Sequence, residues 1–191
     1  HRDRYIEDSP EKWAKGRNPA LYQVVRGEWR LTTAERKRIL LNNIYGVDID
    51  PQAVEVTKLS LLLKVLEGEN EQTLANQMRL FHERALPDLG SNIKCGNSLI
   101  GPDFYDNQQL SFFDDEERYR INVFDWEKEF REIFKDGGLD VVIGNPPYVR
   151  IQALKEWAPL EVEFYKTCYT SANKGNYDIY VVFVEKGLSL L

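Results

Sequence analysis

Leu139-Asp140-Val141-Val142-Ile143-Gly144-Asn145-Pro146-Pro147-Tyr148 decides how the rest of the chain is read. Leu139 to Ile143 reads as an apolar strand of the kind found in the middle of a parallel sheet, where both faces are covered. Gly144 ends it, and a polar, proline-stiffened corner follows at once. In open α/β sheets, ligands collect beyond the carboxyl ends of the strands, so this corner stands where chemistry is expected. The plainer alternative is a stiff turn that only terminates a strand.

Upstream, a helix is expected from Asp125, with Trp126, Phe130, Ile133 and Phe134 on one stripe and Gly137-Gly138 at its end. Before it lies a long loop, residues 100–122, which includes the acid run Asp114, Asp115, Glu116, Glu117. Asn92 to Cys95 reads as a short strand, preceded by a helix over 71–84 that Pro87 and Gly90 end. A longer helix, 51–67, starts with Asp50 as cap and Pro51 at the first helical position, where a missing amide costs nothing. Its residues Val56, Leu59, Leu62, Leu63 and Leu66 are apolar almost all round, so it should lie buried against a sheet. Asn43 to Asp48 reads as a strand, and a helix over 34–42 opens with Thr32 and Glu35 at capping-box spacing. Residues 1–30 show no steady period and are left irregular or partly helical. Downstream, 178–191 is ambiguous: VVFV suggests strand, while the length and Glu185-Lys186 suggest helix. Strands alternating with helices make the chain α/β with a parallel sheet, and no internal repeat is visible.

The chain has 191 residues, 42% hydrophobic and 29% charged, which suits an ordinary globular protein with a packed core. No apolar stretch reaches membrane-spanning length, and the charged start HRDRYIEDSPEKW carries no secretory signal. Two cysteines, Cys95 and Cys168, stand far apart without metal-ligand spacing. That fits a reducing cytoplasm and argues against a disulfide framework or a metal site. Twenty-five lysines and arginines against 31 acids give −6, whereas a self-sufficient nucleic-acid binder carries a basic face. Any grip on nucleic acid is therefore local, or lies elsewhere in a longer protein.

The Asn145-Pro146-Pro147-Tyr148 corner suits one kind of substrate. An exocyclic amino group on a heteroaromatic ring is a poor nucleophile, because its lone pair is delocalised. Two acceptors on its N–H groups favour a pyramidal nitrogen and return electron density to it. The Asn145 side-chain oxygen and the Pro146 carbonyl can be those acceptors, held in place by consecutive prolines. Tyr148 offers a face for stacking on a flat ring, which in duplex DNA must first leave the base stack. A second strand tip, Gly46-Val47-Asp48-Ile49-Asp50-Pro51, places an acid where a ribose could be held. Asp48 is the better candidate because Asp50 caps a helix, and Ile49 could pack on an adenine ring. Both aspartates equally suit a plain helix start. Cys95-Gly96-Asn97-Ser98-Leu99 follows the third strand and could present Asn97 and Ser98 to a ligand edge, or be an ordinary turn. No strand-Gly-x-Gly-helix unit occurs.

Taken in order, NNIYGVDIDPQAVEVTKLSLLLK, IKCGNSLIG, FDWEKEF, DVVIGNPPYVR and NYDIYVVFVEKGLSLL resemble N6-adenine DNA methyltransferases over about residues 32–191. In particular they resemble the large fused, type IIG-like restriction–modification enzymes, which carry nuclease, methyltransferase and target recognition on one chain. The resemblance implies a Rossmann-like methyltransferase fold that is incomplete here. Its first strand and a glycine-rich loop of the type DPACGSG are expected before His1, and further strands after Leu191, so the chain is expected to be an internal fragment. It implies S-adenosylmethionine as cofactor, with Asp48 on the ribose, Ile49 against its adenine, Asn97 and Ser98 at the adenine edge and Phe183 nearby. Many relatives carry aspartate at the Asn97 position. Asn145 and Pro146 are implied to bind the target amino group, Pro147 to hold the turn, and Tyr148 to stack on the flipped adenine. The resemblance also makes 178–191 a helix.

The expected organisation is a lead-in over 1–31, a cofactor-side part over 32–99, the long loop over 100–122 and a catalytic part over 123–191. The expected reaction is methyl transfer from S-adenosylmethionine to adenine N6 in DNA within a restriction–modification system, without a metal. The alternatives are a glutamine side-chain amide or an RNA base as acceptor, or a catalytically inactive fragment. The expected partners are double-stranded DNA with a flipped adenine and the remaining domains of the same longer chain, in the cytoplasm and not at a membrane. The isolated fragment is expected to be inactive. No nuclease is assigned, since Pro102-Asp103 lacks a fitting Glu-x-Lys partner. Arg150 is expected to be an exposed arginine, His82 to lie on a solvated helix face, and Trp157 to pack.

Overall fold

The computed structural model describes residues 1–68, 87–106, 115–173 and 175–191. The chain is mixed α/β and divides into two compact units, His1–Cys95 and Gly96–Leu191. The helix expected over 71–84, and His82 on it, lie outside the described residues, as does the middle of the expected long loop. None of the described helices is long and apolar enough to cross a membrane.

The first unit opens with two short helices, α1 (Arg2–Glu7) and α2 (Pro10–Trp13), and an antiparallel hairpin of β1 (Leu21–Val25) and β2 (Glu28–Leu31). The two helices agree with a partly helical lead-in, while the hairpin is structure that periodicity does not suggest. Arg26 and Gly27 form the two-residue turn between LYQVV and EWRL, with Gly27 at φ +90 in a conformation that glycine adopts without strain. Leu21 and Ala20 are buried with Tyr5, and Trp13, Trp29 and Leu31 pack around them. The Tyr5 and Trp13 rings stack with centroids 4.3 Å apart.

Helix α3 (Thr33–Asn43) starts where Thr32 Oγ1 accepts the Glu35 amide at 3.2 Å. Only this half of the expected capping box forms. The Thr32 amide instead donates to Ala20 O at 2.9 Å, while the Glu35 carboxylate accepts from the Tyr5 hydroxyl at 2.6 Å and from both arms of Arg38. Those Arg38 hydrogen bonds, with that of Tyr5, hold the Glu35 carboxyl below the ordinary range. A buried acid with an arginine fork within reach gains more from the charge pair than from a neutral amide.

Strand β3 (Gly46–Asp48) pairs in parallel with β4 (Ile93–Cys95), in the register Gly46 to Ile93, Val47 to Lys94 and Asp48 to Cys95. Buried Asn92 ties them to α3, donating to Leu41 O at 2.8 Å and Ile44 O at 2.9 Å. Helix α4 (Pro51–Leu66) crosses between them, with Asp50 Oδ1 accepting the Gln52 amide at 2.8 Å as its cap. It packs Val54 and Val65 against Leu40, Leu89 and Ile93. The expectation of burial all round is corrected. Val56, Leu59 and Leu63 are 63, 57 and 59% exposed, because α3 and the β3–β4 pair cover one side of α4 and no described element of this unit covers the other.

The second unit is helical around one core of Leu99, Ile100, Phe104, Ile121, Leu154, Val162, Tyr165, Tyr169, Ile179 and Val182, among others. Inside the expected loop a 3-10 turn forms at Pro102–Tyr105 and a helix, α5, at Asp115–Ile121. The aromatic stripe after Asp125 forms two short helices, α6 (Trp126–Glu129) and α7 (Arg131–Lys135), rather than one, because Phe130 leaves helical geometry at φ −125 and ψ 43. Gly138, at φ +105, donates to Ile133 O at 3.0 Å and closes α7 as a glycine stop. Any Cβ there would also meet Leu190 O at 2.9 Å. Helices α8 (Ile151–Trp157), α9 (Pro159–Cys168) and α10 (Tyr180–Ser189) complete the unit. The ambiguous end of the chain is thus helical. Trp157 is 62% exposed at the end of α8 and does not pack as expected.

The expected strand at Leu139–Ile143 does not form. Among the described residues this unit holds no extended strand to receive its amides, only the isolated bridges Asn97–Val123 and Arg150–Asp178. A strand is made by its neighbours. Leu139 donates to Leu190 O at 2.8 Å, and beyond it Val141, Val142 and Ile143 are exposed.

Candidate functional site

In the first unit, Asp48 ends β3 and is exposed, as are Ile49 and Asp50. Asp48 Oδ1 accepts the Asp50 amide at 2.9 Å, and Asp50 in turn caps α4. The two aspartates therefore divide the work: Asp50 caps the start of the helix, while exposed Asp48 holds the turn with one oxygen and has its second unbonded among the described residues. Ile49 presents a half-exposed apolar side chain beside that carboxylate.

In the second unit, Gly96 to Ile100 forms a closely held corner. A Cβ at Gly96 would lie 2.5 Å from the Phe124 ring, so only glycine fits against it. Asn97 N donates to Asn122 O at 2.7 Å and Phe124 N to Ile100 O at 2.8 Å. The Trp126 indole donates to Ser98 O at 3.0 Å, and the Tyr169 hydroxyl to Leu99 O. The Asn97 side-chain oxygen accepts the Leu99 amide at 3.1 Å, an Asx turn that an aspartate would make equally well. Asn97 also bonds the buried Tyr165 hydroxyl, whose pKa burial pushes up. Asn97 and Ser98 are half-buried.

The Asn145-Pro146-Pro147-Tyr148 corner is open. Asn145 is exposed, and among the described residues no group bonds its side-chain amide. Tyr148 is 80% exposed. What fixes this corner lies just after it: Ile179 N donates to Val149 O at 2.9 Å and Ile151 N to Tyr177 O at 3.0 Å. These two bonds staple 149–151 to the segment that opens α10. As a result Tyr148 lies beside Tyr180, with ring centroids 6.2 Å apart and planes at 46°. Phe183, one turn further along α10, is half-buried against the core. Arg150 is exposed, its backbone bridged to Asp178.

The second unit thus sets Tyr148, the last residue of the corner, beside the start of α10, the helix that also carries Phe183. Tyr180 was missed by the sequence reading. Its signal was available: position 180 precedes Phe183 by one helical turn, so the two share a face.

The chain matches the model of the Eco57I restriction-modification methylase family over residues 42–191. It is 32% identical over 189 residues to the type II restriction enzyme and methyltransferase RM.Eco57I of Escherichia coli, covering 99% of this chain and 16% of that protein. It is 28% identical over 163 residues to the adenine-specific methyltransferase PglX of Streptomyces coelicolor, covering 82% of this chain and 12% of that protein. The chain thus spans less than a fifth of either relative's length. No solved structure matches it.

Proposed function

The chain belongs to the Eco57I restriction-modification methylase family, and on that premise we propose that it carries the catalytic corner of an enzyme that methylates the N6 amino group of adenine in DNA. The observation that carries this is Asn145, whose amide is exposed and bound to no described protein group, at the start of a proline-stiffened corner that ends in the open ring of Tyr148. The Asn145 oxygen and the Pro146 carbonyl accept hydrogen bonds from the amino group, drawing its lone pair out of conjugation. Pro146 and Pro147 limit backbone freedom, so little reordering is needed when a base arrives. Tyr148 stacks on the base once it has left the duplex.

The cofactor in this reading is S-adenosylmethionine, which when bound supplies an electrophilic methyl group. The chain's residues fit it: the second oxygen of exposed Asp48 can accept from ribose hydroxyls, and exposed Ile49 offers an apolar face to adenine. The family resemblance assigns Asn97, Ser98 and Phe183 to the cofactor as well; in the second unit the Asn97 side-chain oxygen accepts the Leu99 amide. This reading places 32–99 on the cofactor side and 123–191 on the catalytic side of an incomplete Rossmann-like methyltransferase fold. Support comes from the parallel β3–β4 pair with Asp48 at its carboxyl end. The remaining domains of a longer polypeptide and double-stranded DNA with a flipped adenine are its partners.

Asn145→Ala in the full-length enzyme is expected to abolish transfer of a tritiated methyl group to duplex DNA while the folded state persists by circular dichroism. Normal DNA modification by that variant overturns the mechanism. Transfer by the unaltered enzyme to RNA or to a glutamine side chain, and not to DNA, overturns the substrate.

A further inference from the structure

Charge is unevenly spread along the chain. Residues 1–41 carry ten lysines and arginines against six acids, net +4, whereas residues 42–191 carry 15 against 25, net −10. Such asymmetry points to a polyanion at the basic end. The ion pairs sharpen it. Four of the six acids, Asp3, Asp8, Glu28 and Glu35, are each taken by a neighbouring cation: Arg2, Lys12, Arg30 and Arg38 respectively.

The surplus is concentrated on the β1–β2 hairpin and the loop that leads into it. From Lys15 to Leu31 there are four cations, Lys15, Arg17, Arg26 and Arg30, and one acid, Glu28, which Arg30 binds at 2.7 Å. Lys15, Arg17 and Arg26 are exposed, with no partner among the described residues. Their placement follows from the hairpin. Ala20 N donates to Trp13 O, which holds the Lys15–Arg17 loop at the open end of the ribbon. Arg26 forms the tip with Gly27, beside exposed Val24 and Val25. The inner face, Leu21, Trp29 and Leu31, is anchored in the unit's core, so the cations are carried on a fixed support. At ~3.3 Å per residue, five residues of strand separate the two ends by about 16 Å, a span of about five base pairs of duplex.

We infer that the Leu21–Leu31 hairpin, with Lys15 and Arg17 at its base and Arg26 at its tip, is a phosphate-backbone contact for duplex DNA. It makes a local grip within an otherwise acidic protein. This rests on the proposed DNA substrate. Unpaired exposed cations bind phosphates without reading bases, so the contact positions the duplex and leaves sequence recognition to other parts of the enzyme.

The test is the salt dependence of duplex DNA binding by the full-length enzyme. Lys15→Ala, Arg17→Ala and Arg26→Ala are combined in one variant. A control removes the same charge elsewhere, by Lys128→Ala, Arg131→Ala and Lys135→Ala. Each lost phosphate contact lowers the log–log salt slope by ~0.9, so the hairpin variant should lose about 2.7 of slope. Between 50 and 200 mM salt it should then shed ~40-fold less affinity than the parent. The control should keep the parental slope, and kcat at saturating DNA should be unchanged in the hairpin variant. An unchanged slope, or equal changes in both triple variants, overturns the inference. So does a slope change seen with single-stranded RNA and absent with duplex DNA. Intact methyl transfer to DNA with an unchanged slope sinks the hairpin contact alone, whereas absence of transfer by the parent sinks the substrate reading and the hairpin's role with it.

Discussion

Two corners of the second unit, Gly96–Ile100 and Gly144–Tyr148, share an outline in sequence: a short apolar run breaks into glycine, asparagine and small or stiff residues. The molecule builds them in opposite ways. The first is held from all sides by Trp126, Phe124, Asn122 and Tyr169. Among the described residues the second is tied by backbone hydrogen bonds only after it ends, at Val149 and Ile151, with the Tyr148 ring beside Tyr180, and it takes its stiffness from two proline rings. Rigidity supplied by neighbours consumes hydrogen-bonding capacity, and the Asn97 oxygen already serves the Leu99 amide. Rigidity supplied by covalent geometry leaves the exposed Asn145 amide unbonded among the described residues.

The largest test of this contrast removes an apolar side chain from each corner. Leu99 is buried in the core and Ile143 is 92% exposed. Leu99→Ala is expected to destabilise the unit by about 2–5 kcal/mol through lost burial and a residual cavity. Ile143→Ala should stay within about 0.5 kcal/mol. Denaturation followed by the fluorescence of Trp126, which contacts the Gly96–Ile100 corner, reads both. Equal losses at the two sites would mean that the Leu139–Ile143 segment is covered after all.

The same distinction separates what the sequence made legible from what it did not. Features set by a few adjacent residues were readable. Asp50-Pro51 begins α4, Thr32 caps α3, and Gly137-Gly138 ends α7, because a cap or a glycine stop is satisfied within one turn. Features that need a distant partner were not. Leu139–Ile143 has the composition of a buried strand, but pairing is decided by a neighbour, and among the described residues of this unit no strand stands beside it. The apolar stripe of Val56, Leu59 and Leu63 says that α4 could be covered on both sides, not what covers it. Glu35 has capping-box spacing, yet Arg38 and Tyr5 compete for its carboxylate, and the tyrosine comes from 30 residues away. At the candidate site, Tyr148 was legible from its motif. The helical spacing of Tyr180 from Phe183 was legible too, but not its nearness to Tyr148, which arises from the staple between 149–151 and 177–179.

That staple supports a smaller effect. Tilted aromatic pairs at this separation are worth about 0.5–1.5 kcal/mol, so Tyr180 should act by ordering the Tyr148 ring. In the full-length enzyme, Tyr180→Ala is expected to lower kcat/KM for DNA by roughly 2- to 12-fold, and Tyr180→Phe should restore most of it. In a Tyr148→Ala background the Tyr180→Ala change should cost little more, because the ring it orders is gone. Additive losses in this double-mutant cycle would dissolve the ring pair as a functional unit.

The smallest effect concerns Glu185, further along the same helix. Glu185 on α10 lies beside the Ser171 hydroxyl, accepts the Ser171 amide at 2.8 Å and takes the amide and hydroxyl of Thr170, each at 2.9 Å. These donors, those of Ser171 first, hold its carboxyl at about 2, well below the ordinary 4.5. A carboxyl whose folded pKa is depressed contributes stability that is complete above its unfolded pKa and is lost as pH falls through the folded one. The contribution should therefore be full above about pH 4.5 and fade between there and about pH 2. Glu185→Gln should flatten that part of the stability–pH curve, and its effect should shrink toward zero at the acid end. Glu185 is only half-buried, so solvent screening keeps the effect small. A variant whose stability falls as steeply with acid as the parent's would show that the Thr170–Ser171 turn does not depend on the charge, and that α10 is held at this point by apolar packing around Ile179 and Val182.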